Sequence, residues 1–315
     1  MYMLIGLIPL IQDELHEPEY GHPENSARMK IPLDFLLASD LKAKLKILKP
    51  EEVEISDILH RIHNPNYLRQ VETVADSGGG FLDGDTYVTP GSYRAALGTA
   101  AAAVWAVREI LTGKEKRIFL AGRPPGHHAE QNFGMGFCII NNTAVAAETA
   151  IVEFGLKRVA IIDWDVHHGN GTQHTFYGRD DVLFVSLHRF PFYPGSGASA
   201  EKGEGKGLNY TLNIPLPAGS DDEIYLGEFT KRITPRLIEY RPELIIITSG
   251  FDAHTEDPLG GMRVTAEGFG LMTNRLVSLA NEYCGGKIFS LFEGGYSPQG
   301  NTVSLYQHIK ELQKD

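Results

Sequence analysis

Asp163, Asp165 and His167 fall at a spacing of two, directly after the aliphatic positions Val159, Ala160 and Ile161. Alternate residues on an extended chain share a face, so a strand end here would present two carboxylates and an imidazole together. Carboxylate oxygen with imidazole nitrogen suits zinc or a similar divalent transition metal. A strand ending in a polar turn would account for one Asp and one His. It does not easily account for four ionisable groups within six residues, Asp163 to His168. A catalytic site of this kind needs a third protein ligand and an open position. Asp252, after the buried-strand pattern Ile245-Ile-Ile-Thr-Ser-Gly250, is the best candidate, with an N-cap aspartate as the plainer alternative. His254 reads as mostly structural.

Other segments carry groups of the right chemistry but are individually ambiguous. His127-His128 follows Arg123-Pro-Pro-Gly126, a rigid lead-in that would hold two imidazoles, the usual general acid/base groups, or else an exposed histidine pair. Glu293-Gly-Gly-Tyr296 offers a phenol beside two glycines. It could donate to an oxyanion or simply pack on a loop. Phe137 in Gly134-Met-Gly-Phe-Cys138 and Tyr193 in Phe192-Tyr-Pro-Gly-Ser-Gly197 could wall a channel for an extended apolar stem. Each taken alone reads more simply as a core aromatic.

The elements that must position these groups follow a βαβα rhythm. Strands are expected at Leu45–Leu48, Arg117–Ala121, Arg158–Asp163, Val182–Leu187, Leu244–Thr248 and Lys287–Phe292, with a further buried strand in the apolar N-terminus. Helices are expected at Arg94–Leu111, Asn142–Phe154, Asp222–Tyr240, Ala266–Glu282 and Thr302–Leu312. Continuously apolar strands imply a parallel sheet covered on both faces, and right-handed crossovers put all strand C-termini at one edge. Five strands end in His127-His128, Asp165 with His167, His188, Asp252 and Tyr296, so one rim collects the titratable groups.

The chain has 315 residues, 42% hydrophobic and 22% charged, with a net charge of −11, which fits an ordinary globular protein. We expect one domain spanning residues 1–315. The acidic balance argues against direct nucleic-acid or anionic-membrane binding and is compatible with a basic substrate. Two cysteines, Cys138 and Cys284, make no metal motif together and favour a reducing compartment, with a cytoplasmic location expected. The apolar start lacks a basic region and is too short to span a bilayer. Oligomeric state is not legible.

Together, Arg123-Pro-Pro-Gly-His-His-Ala129, Gly136-Phe-Cys138 with Asn141-Asn142, Asp163-x-Asp-x-His-His-Gly-Asn-Gly171, Phe192-Tyr-Pro-Gly-Ser-Gly197, Ser249-Gly-Phe-Asp-Ala-His254, Asp257-Pro-Leu-Gly-Gly261 and Glu293-Gly-Gly-Tyr296 resemble the histone deacetylase family over roughly residues 20 to 312. His22-Pro-Glu24 resembles its N-terminal signature, and the glycine-rich motifs point to the class II-like branch. The resemblance implies an α/β arginase/deacetylase fold, a single domain with an eight-stranded parallel sheet between helices, and a zinc-dependent hydrolase of acyl amides, with iron(II) as an alternative metal.

Residue by residue, Asp165, His167 and Asp252 fall on the metal ligands, and His127 and His128 on the tandem histidines. Tyr296 falls on the transition-state tyrosine and Asp163 on the carboxylate that orients the first histidine. Asn170 falls where class I members carry Asp beside the second, so His128 should be less basic here. Phe137 with Gly136, and Tyr193, fall on the aromatic walls of the substrate tunnel. Potassium is implied at backbone carbonyls around Asp163, Asp165, His167, Ser186 and Leu187. Many relatives carry Arg where this chain has Asn25, with Arg28 as a substitute.

The implied reaction has His128 take a proton from the attacking water and return it to the leaving amine, with Tyr296 supporting the oxyanion and His127 staying charged. Candidate substrates are acyl-lysine proteins or peptides and small acylated amines such as acetylated polyamines; a silent acyl-lysine binder is the third reading. Leu259 stands where polyamine-selective relatives carry Glu, which favours lysine side chains. Asp85 could reach the tunnel mouth and accept peptide N–H groups, or be a plain turn aspartate.

Overall fold

The structure, a computed structural model, describes residues 3–12, 14–18 and 21–314. In chain order the strands are β1 (Ile5–Leu10), β2 (Leu45–Ile47), β3 (Gly80–Phe81), β4 (Tyr87–Val88), β5 (Arg117–Gly122), β6 (Val159–Asp163), β7 (Val182–Arg189), β8 (Thr211–Leu216), β9 (Leu244–Ser249) and β10 (Ile288–Phe292). Eight form one sheet in the order β2-β1-β5-β10-β9-β6-β7-β8, every pairing parallel, while β3 and β4 make a small antiparallel pair.

Alternation along each central strand feeds two cores. Ala160, Ile162, Ile245 and Ile247 pack on one face with the helices Ala27–Ala38, Ala266–Tyr283 and Pro298–Leu312. Val159, Ile161, Leu244 and Ile246 pack on the other with Ser56–Ile62, Pro65–Asp76, Ser92–Leu111 and Asn142–Phe154. Both faces are covered, so the strands can be apolar throughout rather than alternating with polar residues. The result is a single α/β domain with its eight-stranded parallel sheet between helices, as expected.

Three differences from the sequence-based expectation have local causes. β8 went unpredicted because Asn213 and Pro215 interrupt Thr211–Leu216; an edge strand tolerates the proline, whose missing N–H faces outward. The expected helix Asp222–Tyr240 is broken into Asp222–Glu228 and Thr234–Tyr240 by a wide turn at Phe229–Ile233, just before Pro235, which cannot donate to the preceding turn. The helix Ala27–Ala38 was hidden by its internal Pro32. Among the described residues no helix is long and apolar enough to cross a membrane. Cys138 and Cys284 are both free and buried.

Candidate active site

The five strands expected to deliver titratable groups, β5, β10, β9, β6 and β7, are consecutive neighbours at the centre of the sheet. Parallel pairing therefore brings their C-terminal ends to one place. The face-sharing expectation needs one correction. β6 ends at Asp163, so Asp165 and His167 lie in the loop beyond it. The loop is shaped by its own carboxylates: Asp165 N–H donates to Asp163 Oδ1 at 3.1 Å and His167 N–H to Asp165 Oδ1 at 3.0 Å.

Asp165, His167 and Asp252 nevertheless converge, with ligand atoms all within 4.8 Å of one another. His167 Nδ1 lies 3.1 Å from Asp165 Oδ1 and 3.1 Å from Asp252 Oδ2. Burial pushes Asp252 up to about 8, with Asp165 adding repulsion. Asp165 is held far below the usual carboxylate range, against its burial, by His127 and His167. His167 rises to about 9, burial notwithstanding, through its hydrogen bonds to Asp165 and Asp252. Asp252 and His167 thus keep protons that a divalent cation would displace, beside an already ionised Asp165, and the donor set suits zinc or iron(II). Space for the carboxylates comes from Gly294, where a Cβ would overlap both Asp252 and Asp165.

A second buried group, His127, Cys138 and Glu293, also brings ligand atoms within 4.8 Å. It fits a metal less well. Glu293 Oε2 already accepts from Gly126 N–H at 2.6 Å and His127 N–H at 3.2 Å, and burial holds the Cys138 thiol well up, hence neutral. Neither residue lines the cleft, whereas His167 does.

The histidine pair follows β5, and its members differ sharply. His127 Nδ1 lies 3.0 Å from Asp163 Oδ2; against burial, Asp165 and Asp163 raise it to about 10. His128 Nδ1 sits 2.7 Å from Asn170 Oδ1, and burial together with the charges of His127 and His167 pushes it well below its ordinary value. One imidazole is thus held charged and its neighbour neutral. That divergence is what a fixed cation beside a working base requires.

A cleft of about 410 Å³ reaches this floor, lined by His128, His167, Tyr296, Gly136, Phe137, Phe192, Tyr193, Leu259, Asp85, His22 and Pro23. Tyr296 is anchored by its backbone N–H to Asp257 Oδ2 at 2.6 Å, and burial raises its phenol well above its ordinary value, so it remains a donor. Phe137 stands edge-on to Tyr296 at 5.7 Å, and Tyr193 is perpendicular to His128 at 5.3 Å. Gly136 has φ +56°, and a Cβ there would lie 2.5 Å from His128 Cδ2. Phe137 adopts φ 68°, a conformation uncommon for any residue but glycine. His254 stays outside the cluster, its Nδ1 accepting from Glu256 N–H at 3.2 Å. Asp163, the last residue of β6, pairs with Ser186 in the sheet register, with Leu187 next to it within β7.

Some residues at the site had no role in the cleft assigned from sequence. Phe192 stacks on His167 at 5.3 Å, and His22 and Pro23 form part of the mouth. Arg28 lies beside the site: it donates to the Glu293 carbonyl, and its guanidinium lies 5.0 Å from the Tyr296 ring centre. Arg123 is buried against Glu24, at 2.6 Å through Nε and 2.7 Å through Nη2. These are long-range pairings that spacing along the chain does not reveal.

Residues 22–312 match the histone deacetylase domain family. A probable deacetylase of Archaeoglobus fulgidus is 39% identical over 300 residues, covering 95% of this chain and 83% of that protein. The histone deacetylase-like amidohydrolase of Pseudomonas aeruginosa is 40% identical over 283 residues, covering 88% of this chain and 73% of its own. Among solved structures, the crystal structure of the HDA15 HD domain aligns with a TM-score of 0.92 at 35% identity, over 98% of this chain and 89% of that one.

Proposed function

The chain belongs to the histone deacetylase family, and we propose that it is a metal-dependent amidohydrolase removing acetyl or longer acyl groups from lysine side chains. The observation that carries this reading is the floor of the cleft, where Asp165, His167 and Asp252 meet with His128 and Tyr296 beside them. Asp165, His167 and Asp252 would hold zinc or iron(II), which when bound lends Lewis acidity to the scissile carbonyl and the attacking water. His128, kept neutral, takes the water proton at Nε2 and later gives it to the leaving amine. Tyr296 donates its phenol hydrogen to the developing oxyanion. His127, held by Asp163, keeps its charge and stabilises the same negative charge. Asn170 fixes the tautomer of His128. Potassium at the carbonyls around Asp163, Asp165, His167, Ser186 and Leu187 would brace the loop.

The substrate reading rests on the mouth. Gly136, Phe137 and Tyr193 suit an extended apolar stem, and Leu259, 37% exposed, offers no anion to a second, distant ammonium. Asp85 at the rim could accept backbone N–H groups of a peptide. Turnover of an acetyl-lysine peptide, lost on chelation and restored by zinc or iron(II), supports the proposal. A metal-loaded protein that hydrolyses neither acyl-lysine peptides nor acetylspermidine would overturn it. Preference for acetylspermidine would overturn only the lysine assignment.

A further inference from the structure

Asn170 does more than face His128. Its amide nitrogen donates to Glu130 Oε1 at 2.5 Å, and the same oxygen accepts from His174 Nδ1 at 2.7 Å. His174 is 54% exposed and opens, with Glu130 and Arg61, onto a surface pocket of about 290 Å³. Glu130 and Asn170 are both buried, at 8% and 4% exposure. An unbroken line of side chains therefore runs from solvent through His174, Glu130 and Asn170 to His128.

The hydrogen-bond roles along that line are determined by chemistry. An ionised carboxylate only accepts, so Glu130 must face the NH2 of Asn170. The amide oxygen is thereby turned to His128 Nδ1, which must carry the hydrogen. His128 Nε2 is left as the free lone pair. Reversing the amide would set its oxygen against a carboxylate inside the protein, an arrangement with no donor between them.

We propose that Glu130 is a positioning residue for the reaction: through Asn170 it locks His128 in the Nδ1–H form, with surface His174 as the outer anchor. The inference rests on the hydrolase reading for its kinetic consequence but not for its tautomer consequence. Charged or titratable groups facing His128 are His127, His167, Asp165 and Tyr193; those around Glu130 and His174 are His63, Arg61 and Glu201.

Two variants test it in the intact, metal-loaded protein. Glu130→Gln removes the anion, so the acid limb of kcat/KM should move to lower pH, with kcat down about tenfold and KM unchanged. His174→Gln, at the surface, removes the outer positive partner and should move the limb the other way. A purely structural role gives no shifts of opposite sign. Independently of turnover, 15N spectra of histidine-labelled protein should show His128 as the Nδ1–H tautomer in the wild type and a mixture in Glu130→Gln. Unchanged limbs in both variants, or a wild-type His128 protonated at Nε2, overturns the proposal. If Glu130→Gln does not fold, the His174→Gln limb and the wild-type spectrum decide it. An absence of wild-type turnover would count against the hydrolase reading alone, because the spectrum still decides the tautomer.

Discussion

At the scale of single residues, the floor of the cleft works by setting like-typed groups apart. His127 and His128 are neighbours in the chain with ring centres 4.0 Å apart, yet Asp165 and Asp163 hold the first charged, while burial and the charges of His127 and His167 outweigh Asp165 at the second and keep it neutral. Asp252→Ala or His167→Ala should abolish both bound metal and turnover, since three ligands leave none to spare; metal analysis of the purified variants checks this, and full occupancy would remove the ligand assignment. Tyr296→Phe should keep its metal while kcat falls on the order of 10²-fold, the cost of one oxyanion donor. A Phe variant of ordinary activity would mean that the phenol takes no part. Leu259→Glu should shift preference toward acetylated polyamines by several-fold in kcat/KM, because a part-exposed ion pair contributes on the order of 1 kcal/mol. Comparing acetylspermidine and acetyl-lysine peptide in both proteins reads the shift directly.

Among the elements, the loops after the central strands have the most demanding geometry. The segment 134–138 must bring backbone against His128 and at the same time aim Phe137 across the cleft toward Tyr296. Glycine at 136 meets the first demand, since any side chain there would meet the imidazole. Gly136→Ala should therefore lower kcat/KM at least tenfold, with the thermal midpoint changed far less than the rate. Parallel measurement of turnover and melting separates the two. A variant as active as the wild type would show that the loop has room to spare. The segment carrying Phe192 and Tyr193 is braced differently. Glu201 accepts from Gly197 N–H at 3.0 Å and Ala198 N–H at 2.9 Å, and Gln173 donates to Glu201 at 2.6 Å. A partly buried polar network, not regular structure, holds that wall of the cleft.

Across the whole molecule, several buried histidines outside the floor are kept neutral by burial. His63 lies 2.9 Å from the Glu130 carbonyl through Nδ1 and accepts from Asn141 N–H at 2.9 Å through Nε2. His308 sits between Thr273 at 2.7 Å and Ser290 at 2.9 Å. Burial lowers His63 to about 4, His188 to about 4 and His308 to about 3. In the unfolded chain each titrates near 6.5. Their contribution to stability is therefore complete above pH 6.5 and lost as pH falls toward 3, because the unfolded state then binds more protons. The thermal midpoint should fall steadily across that window. Histidine-to-asparagine replacement at 308 should flatten part of the slope; an unchanged slope would place the acid sensitivity elsewhere.

Much of this was legible before any coordinates. The apolar runs of β5, β6, β7, β9 and β10 are buried on both faces, so their composition alone marks a parallel sheet, and parallel strands with right-handed crossovers put their ends at one edge. That is why Asp165, His167, Asp252, His127, His128 and Tyr296 could be assigned to one rim from sequence, and why the family resemblance fell on the same residues. What the chain order could not disclose are the pairings that cross it. Arg28 reaching Glu293, Glu130 backing Asn170, and Phe192 stacking on His167 each join groups far apart in sequence or leave no periodic trace. Strand order decided the rest: β10 and β9 lie between β5 and β6, so the histidine pair and the aspartates come together only once the sheet is assembled. Local propensity acts over a few residues and writes itself into the sequence, whereas the charge states of these groups depend on burial and on neighbours supplied by other strands, which tertiary packing alone provides.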